Sequence, residues 1–221
     1  MLWLVFEGPD KSGKTSLSSH VARYFSRLVL PVLVTREPGS EHDPICRRLR
    51  SVILSDATDD QTELLLFTAD RIQHENKVVL PAIDSGPGLI LQDRGVLSTF
   101  VYQVLDCKDE AERSSRRALL TGLMRGRRRP DLCVVCLASS EAVDFRTQNA
   151  EMNRLDLRRV EGIYSEVVDD LASIDLPIAD EIMVQTLSDW GDTEKAVQQI
   201  AVWVENALTA REATRSPSQA P

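Results

Sequence analysis

The sequence predicts an α/β fold, a parallel five-stranded sheet with helices on both faces. Two observations carry this expectation. Residues 8–15 read Gly-Pro-Asp-Lys-Ser-Gly-Lys-Thr, the G-x-x-x-x-G-K-[ST] pattern of a loop whose backbone closes around phosphate, and they stand between a short apolar run and a helix-patterned stretch. Four further apolar runs then alternate with helical stretches along the 221 residues, as parallel strands joined by crossover helices do.

Leu2 to Phe6 is the first apolar run, continuous as a strand covered on both faces requires. In the turn that follows, Gly8 and Gly13 let backbone N–H groups approach phosphate oxygens with no Cβ in the way. The helix predicted over 13–28 carries apolar residues at helical spacing and adds the partial positive charge of its N-terminus. Lys14 would neutralise the outer phosphates and the Thr15 hydroxyl would sit on Mg²⁺. Pro31 to Thr35, Gly88 to Leu91, Leu132 to Leu137 and Glu181 to Thr186 read as the other four buried strands. Helices are predicted over 43–55, 60–84, 97–105, 109–126, 139–172 and 192–209. Ser85-Gly86-Pro87-Gly88 reads as a loop. Residues 1–210 read as a single domain without repeat or linker. Arg211 to Pro221, small and polar with two prolines, reads as a disordered tail.

The net charge of −8 offers no general surface for nucleic acid or membrane. The first apolar run is too short for a signal peptide, no run approaches membrane-spanning length, and a cytoplasmic location is expected. Cys133 and Cys136 form a C-x-x-C that could suggest zinc or redox chemistry. They lie within an apolar strand, however, where residues three apart face opposite sides, so the thiols should diverge. His20, His42 and His74 are scattered and read as structural or solvent-facing. Arginines are dense over Arg113 to Arg129, either a solvated face or a functional one, and again at Arg146, Arg154, Arg158 and Arg159. That second group follows the fourth strand, where a segment could close over a nucleotide.

A phosphate-cradling loop alone is compatible with GTPases, motor ATPases and small-molecule kinases. The guanine-reading N-K-x-D of GTPases is missing from the chain. Instead, arginines stand where the strands end, the place ligands occupy in open α/β sheets. Strand two ends in Thr35-Arg36-Glu37-Pro38-Gly39, strand three in Gln92-Asp93-Arg94, and the helix between them carries Phe67-Thr68-Ala69-Asp70-Arg71. Guanidiniums meet phosphate oxygens bidentately. Several of them converging beside one aromatic ring suggest a second anion attached to a planar base, an acceptor nucleotide.

With Leu49-Arg50-Ser51, Leu65-Leu66-Phe67 and Leu97-Ser98-Thr99-Phe100-Val101-Tyr102-Gln103 in the same order, the chain resembles the thymidylate kinase family over about residues 2–209. The resemblance implies a P-loop NTPase-type three-layer sandwich with strand order 2-3-1-4-5, a homodimer, and transfer of the ATP γ-phosphoryl group to dTMP. It implies catalytic roles for Lys11, Lys14, Arg94 and Arg154. It implies ATP binding by Gly8, Pro9, Asp10, Lys11, Ser12, Gly13, Lys14, Thr15 and Ser16. On the acceptor side it implies Asp10, Arg36, Arg50, Phe67, Arg71, Arg94, Ser98, Thr99, Tyr102 and Gln103, with Phe67 stacked on thymine and Tyr102 crowding the sugar 2′ position. Mg²⁺ would be held by Thr15 and, through water, Asp93. A lid is expected over about 139–158. The chain departs from the family's habits at Lys11, Gly95 and Glu161, where Arg, an aromatic or His, and a second Arg are common. Two other readings stand beside this one: a kinase for another or modified deoxynucleoside monophosphate, and a nucleotide-binding regulator or P-loop ATPase.

Overall fold

The computed structural model describes residues 1–28, 30–55, 59–139, 154–188 and 190–215. Five strands form one sheet in the order β2-β3-β1-β4-β5: β1 (Leu2–Glu7), β2 (Val32–Arg36), β3 (Leu89–Asp93), β4 (Leu132–Ala138) and β5 (Glu181–Leu187). Every pairing is parallel, so all strands end on the same side, where the cradle follows β1. The expected sheet and order are therefore present, with one correction. β2 and β5 are edge strands, and Val34, Ile182 and Val184 are partly open to solvent; β1 is buried throughout, and β3 and β4 are buried except at their last one or two residues.

The core follows from side-chain alternation along the strands. Leu2, Leu4 and Phe6 face α1 (Lys14–Ser26) and the last helix, whereas Trp3 and Val5 pack with Val79 and Ile83 on the other face. On β4 the same alternation puts Cys136 in the first layer and Cys133 in a second, with Leu120 and Tyr164. All four cysteines are free thiols, and those of the C-x-x-C lie on opposite faces, as strand geometry predicts.

The helix predicted over 60–84 is interrupted. It runs as α3 (Asp60–His74), a π-helical segment Glu75–Val79 and α4 (Leu80–Asp84). Pro81 supplies the reason: it has no N–H to donate, and its ring crowds the carbonyl four residues back, so the turn widens ahead of it. The stretch predicted as one helix over 97–105 is a single turn, α5 (Val96–Thr99), continued as a π-helix, Phe100–Leu105. α2 (Pro44–Ile53) begins at Asp43, whose carboxylate accepts from the N–H groups of Ile45 and Cys46, and α6 (Glu110–Met124) begins at Asp109.

α7 (Arg154–Asp169) precedes β5, and the expected lid lies mostly outside the described residues. The last helix, α8 (Trp190–Arg215), runs five residues into the stretch expected to be tail. Arg211 anchors that extension by donating to the Met1 carbonyl and to Asp131. Much of the arginine-rich stretch 113–129 is also committed to structure. Buried Arg116 pairs with Asp60 and Glu112, Arg113 with Glu110, and Arg127 with Glu75.

Candidate active site

The cradle takes its shape from four backbone positions of left-handed or related conformation around β1's end. Gly8 has φ 137° and Gly13 φ 94°. A Cβ on Gly8 would stand 2.1 Å from the Cys136 carbonyl oxygen, so the loop passes β4 too closely for any side chain. Lys11 (φ 64°) and Arg94 (φ 69°) are left-handed without being glycine; such positions are sparse and gather at functional sites. Arg94 is held there by its own N–H on the Phe6 carbonyl, 2.8 Å. Its carbonyl accepts from the Gln92 amide, itself fixed by the Trp3 indole N–H.

Lys14 folds back over the loop, its Nζ donating to the Pro9 carbonyl at 2.9 Å. Burial, and then the nearby Arg94 charge, hold its ammonium below the usual lysine range, while Asp93, Asp10 and Glu7 oppose them. At the start of α1 the Thr15 hydroxyl donates to Asp93 Oδ2 at 2.7 Å. Asp93 Oδ1 is buried and has no hydrogen-bond partner among the described residues. A hydroxyl beside a carboxylate with a spare oxygen is a hard-cation donor set, so Thr15 and Asp93 fit Mg²⁺. The buried Ser12 hydroxyl also lacks a partner among the described residues. The cradle thus keeps polar capacity for a ligand.

Next to the cradle lies a cavity of about 300 Å³, within the size range of small-molecule sites. Nine of the ten residues assigned to the acceptor line it: Asp10, Arg50, Phe67, Arg71, Arg94, Ser98, Thr99, Tyr102 and Gln103. They come from the cradle, α2, α3, the residue after β3, α5 and the π-helix, and the sheet's connectivity brings them together. Arg36 is the exception: it pairs with Glu41 on the exposed side of the β2 end. Its charge is still felt, because burial and then the Arg36 guanidinium hold Arg50 below the usual arginine range, with Arg94 adding to the effect. The Asp70 and Glu41 charges oppose them. Glu37, Pro38, Leu54 and Glu63 also line the cavity. Of these, Glu37 and Pro38 stood within the quoted strand-end motif and Glu63 lies one helical turn before Phe67, but composition alone did not single them out. A smaller cavity of about 110 Å³ beside Arg125, Arg127, Arg129 and Asp175 lies away from the cradle.

Two arginines dominate the wall. Arg71 donates to Glu37 Oε2 (2.8 Å), the Thr99 hydroxyl (2.8 Å) and the Gly95 carbonyl (2.6 Å). These use three of a guanidinium's five N–H groups, and among the described residues no further partner is seen for the other two. The paired Glu37 is buried, which raises its carboxyl; Arg71 and the hydrogen bond from His74 outweigh burial and hold it below the usual range. Arg94 donates to the Ser98 hydroxyl (2.9 Å) and to Asp10 in the cradle. It does not pair with its neighbour Asp93. Its guanidinium lies 5.4 Å from the centre of the Tyr102 ring, and the Tyr102 hydroxyl accepts from the Asp10 N–H.

Arg146 falls outside the described residues, as does the Arg154 side chain. Glu161, at the family's second-Arg position, instead accepts from the Ala138 N–H at the end of β4, a structural bond.

The thymidylate kinase family model matches residues 6–174. A thymidylate kinase of Neorickettsia sennetsu is 33% identical over 138 residues, 62% of this chain and 66% of that protein. One of Enterococcus faecalis is 42% identical over 106 residues, 46% of this chain and 49% of that protein. The matches with these curated relatives thus take in about half to two thirds of their length. The crystal structure of a thymidylate kinase from Ehrlichia chaffeensis superposes with a TM-score of 0.65, covering 90% of this chain and 98% of that one at 22% identity, a likeness of fold.

Proposed function

The chain belongs to the thymidylate kinase family, and on that premise we propose that it transfers the γ-phosphoryl group of ATP to dTMP, giving ADP and dTDP. The observation that carries the reading is Arg94. Its guanidinium bonds Asp10 of the cradle loop and Ser98 of the cavity wall together, so an anion in the cradle and one in the cavity would meet across it. Phe67, on the cavity wall, suits stacking on a pyrimidine. Arg71 has N–H groups to spare for the base edge or the acceptor phosphate, and Tyr102 would crowd a ribose 2′-hydroxyl.

In the reaction an oxygen of the acceptor 5′-phosphate attacks the γ-phosphorus as the bond to the ADP oxygen breaks. The nucleophile is already an anion, so no strong general base is needed, and catalysis is alignment plus charge neutralisation. Lys14 and Lys11 would sit on the donor side and Arg94 on the acceptor side; Arg154 is a further candidate. Thr15 and Asp93 would hold Mg²⁺, which when bound neutralises charge on the phosphate oxygens. The reading carries a cytoplasmic setting, in which the four cysteines stay reduced. It also carries a homodimer, supported by the half-exposed apolar Ile45, Val52 and Leu65 on α2 and α3. Among the described residues no helix is long and apolar enough to cross a membrane.

Steady-state phosphorylation of dTMP, dUMP, dCMP and dGMP tests the proposal. A clear preference for dTMP is the expected result. Preference for another monophosphate would move the assignment to that acceptor, and ATP hydrolysis indifferent to every monophosphate would overturn it.

A further inference from the structure

The carboxylate of Glu7 has no part in the mechanism above, yet it is 1% exposed and sits between the two halves of the site. Glu7 is the last residue of β1, next to the cradle's first glycine. Its Oε2 accepts from the Ser98 hydroxyl at 2.5 Å and its Oε1 from the Ser98 N–H at 3.2 Å. The Ser98 hydroxyl also meets Arg94 Nη1 at 2.9 Å and the Tyr164 hydroxyl at 3.1 Å. A guanidinium can only donate and an ionised carboxylate can only accept. Burial raises the Glu7 carboxyl, against the Ser98 hydrogen bond and the Arg71 and Arg94 charges; when it is ionised, Ser98 gives its proton to Glu7, accepts from Arg94, and takes Tyr164 as its second donor, which exhausts a hydroxyl's capacity and fixes its direction.

We propose that Glu7 is a positioning residue for the acceptor side: through Ser98 it aims Arg94, and by capping α5 it sets the carbonyl that orients Arg71. The cap of α5 is Gly95, which has no side chain to take the orphan N–H of the third helical residue. Glu7 takes that N–H from across the sheet. A Cβ on Gly95 would stand 2.9 Å from Glu7 Oε1 and 3.0 Å from Val5 Cγ1, so a side chain there would push the Glu7 carboxyl from its place. The Gly95 carbonyl is the one that accepts from Arg71. One buried carboxyl thereby sets the direction of Arg71 and Arg94, two of the three guanidiniums that line the cavity, without touching either substrate. This also gives a reason for glycine at a position where the family often carries an aromatic or His.

The inference rests on the proposed acceptor. Its test titrates dTMP, and separately a non-hydrolysable ATP analogue, against the wild type, Glu7→Gln, Ser98→Ala, Gly95→Ala and the Glu7→Gln/Ser98→Ala pair, with thermal melts of each. Glu7→Gln and Ser98→Ala should each weaken dTMP at least about tenfold, the scale of a misaligned charge-assisted hydrogen bond. The pair should lose no more than the worse single change, as residues acting through one another do. The ATP analogue should bind unchanged. Gly95→Ala, which keeps the charge but displaces it, should shift dTMP binding in the same direction, and together with Ser98→Ala it decides the matter if Glu7→Gln does not fold. A wild type that binds dTMP alongside variants that bind it equally well overturns the inference alone. Equal loss of both ligands does the same, marking Glu7 as a part of the cradle. A wild type that binds no dTMP overturns the proposed function and this inference with it.

Discussion

Lys14 and Lys11 divide the work at the cradle in different ways. Lys14 is buried against the Pro9 carbonyl, whereas Lys11 stands exposed at a left-handed position. An ammonium neutralises charge but cannot grip two oxygens in a plane as a guanidinium does. Lys11→Met should therefore lower kcat by roughly a hundredfold, the scale of one lost transition-state donor, with little effect on dTMP binding. Single-turnover kinetics read both; if Arg154→Met alone abolishes activity and Lys11→Met is mild, the charge donor is Arg154. Asp70, beneath the same wall, makes a stability prediction. Burial, and then the negative charge of Glu37, raise its carboxyl from 3.8 to about 6, against the hydrogen bond from the Gly39 N–H. Between those values the folded chain holds a proton that the unfolded chain releases. Asp70 thus supports the fold below about pH 4, and that support is lost as pH rises through about 6, by on the order of 3 kcal/mol. Denaturant titrations of the wild type and Asp70→Asn should show the variant gaining on the wild type over this window. Parallel pH curves would remove the argument.

At the scale of elements, the site depends on how its helices begin. α2 carries Arg50 into the cavity, and its start is held by Asp43, which accepts from Ile45 and Cys46 and also from the Gln73 amide of α3. Asp43→Ala should cost about 1–2 kcal/mol in denaturant midpoint analysis, the upper part of the range for a lost N-cap, and should raise the KM for dTMP more than that for ATP. The cradle is less forgiving. At Gly8 an added Cβ meets backbone and not a side chain that could turn away, so Gly8→Ala should abolish ATP-analogue binding in calorimetry. The π-helix Phe100–Leu105 carries Tyr102 and Gln103, and nothing in local composition marks it. A widened turn conserves sequence pattern while rotating the residues beyond it, which is why the prediction of an ordinary helix over 97–105 found the right segment and the wrong geometry.

Across the whole molecule, the start of β1 and the last turns of α8 are tied together where the central strands begin. Asp131 accepts from the Trp3 N–H and from Arg211, and Arg211 also reaches the Met1 carbonyl. Arg211→Ala should lower Tm by about 2–4 °C, the shift that about 1 kcal/mol produces in a chain of this size; an unchanged melt would return that stretch to the status of a tail. The composition of Arg211 to Pro221 concealed this, because a polar segment reads as disordered until the partner that satisfies it is known. What the sequence by itself determined was the cradle and the five-stranded frame. Gly8 to Thr15 act through the conformations of consecutive residues, and burial on both faces of the central strands leaves an unbroken apolar run, so both are local properties written in order. Only the tertiary structure decided which arginines share the cavity. Arg36 leaves it for Glu41, Arg94 passes over Asp93 for Asp10, and buried Glu7 directs Ser98. A long side chain's direction is set by charges that folding brings beside it, and their separation along the chain hides them from any reading of neighbouring residues.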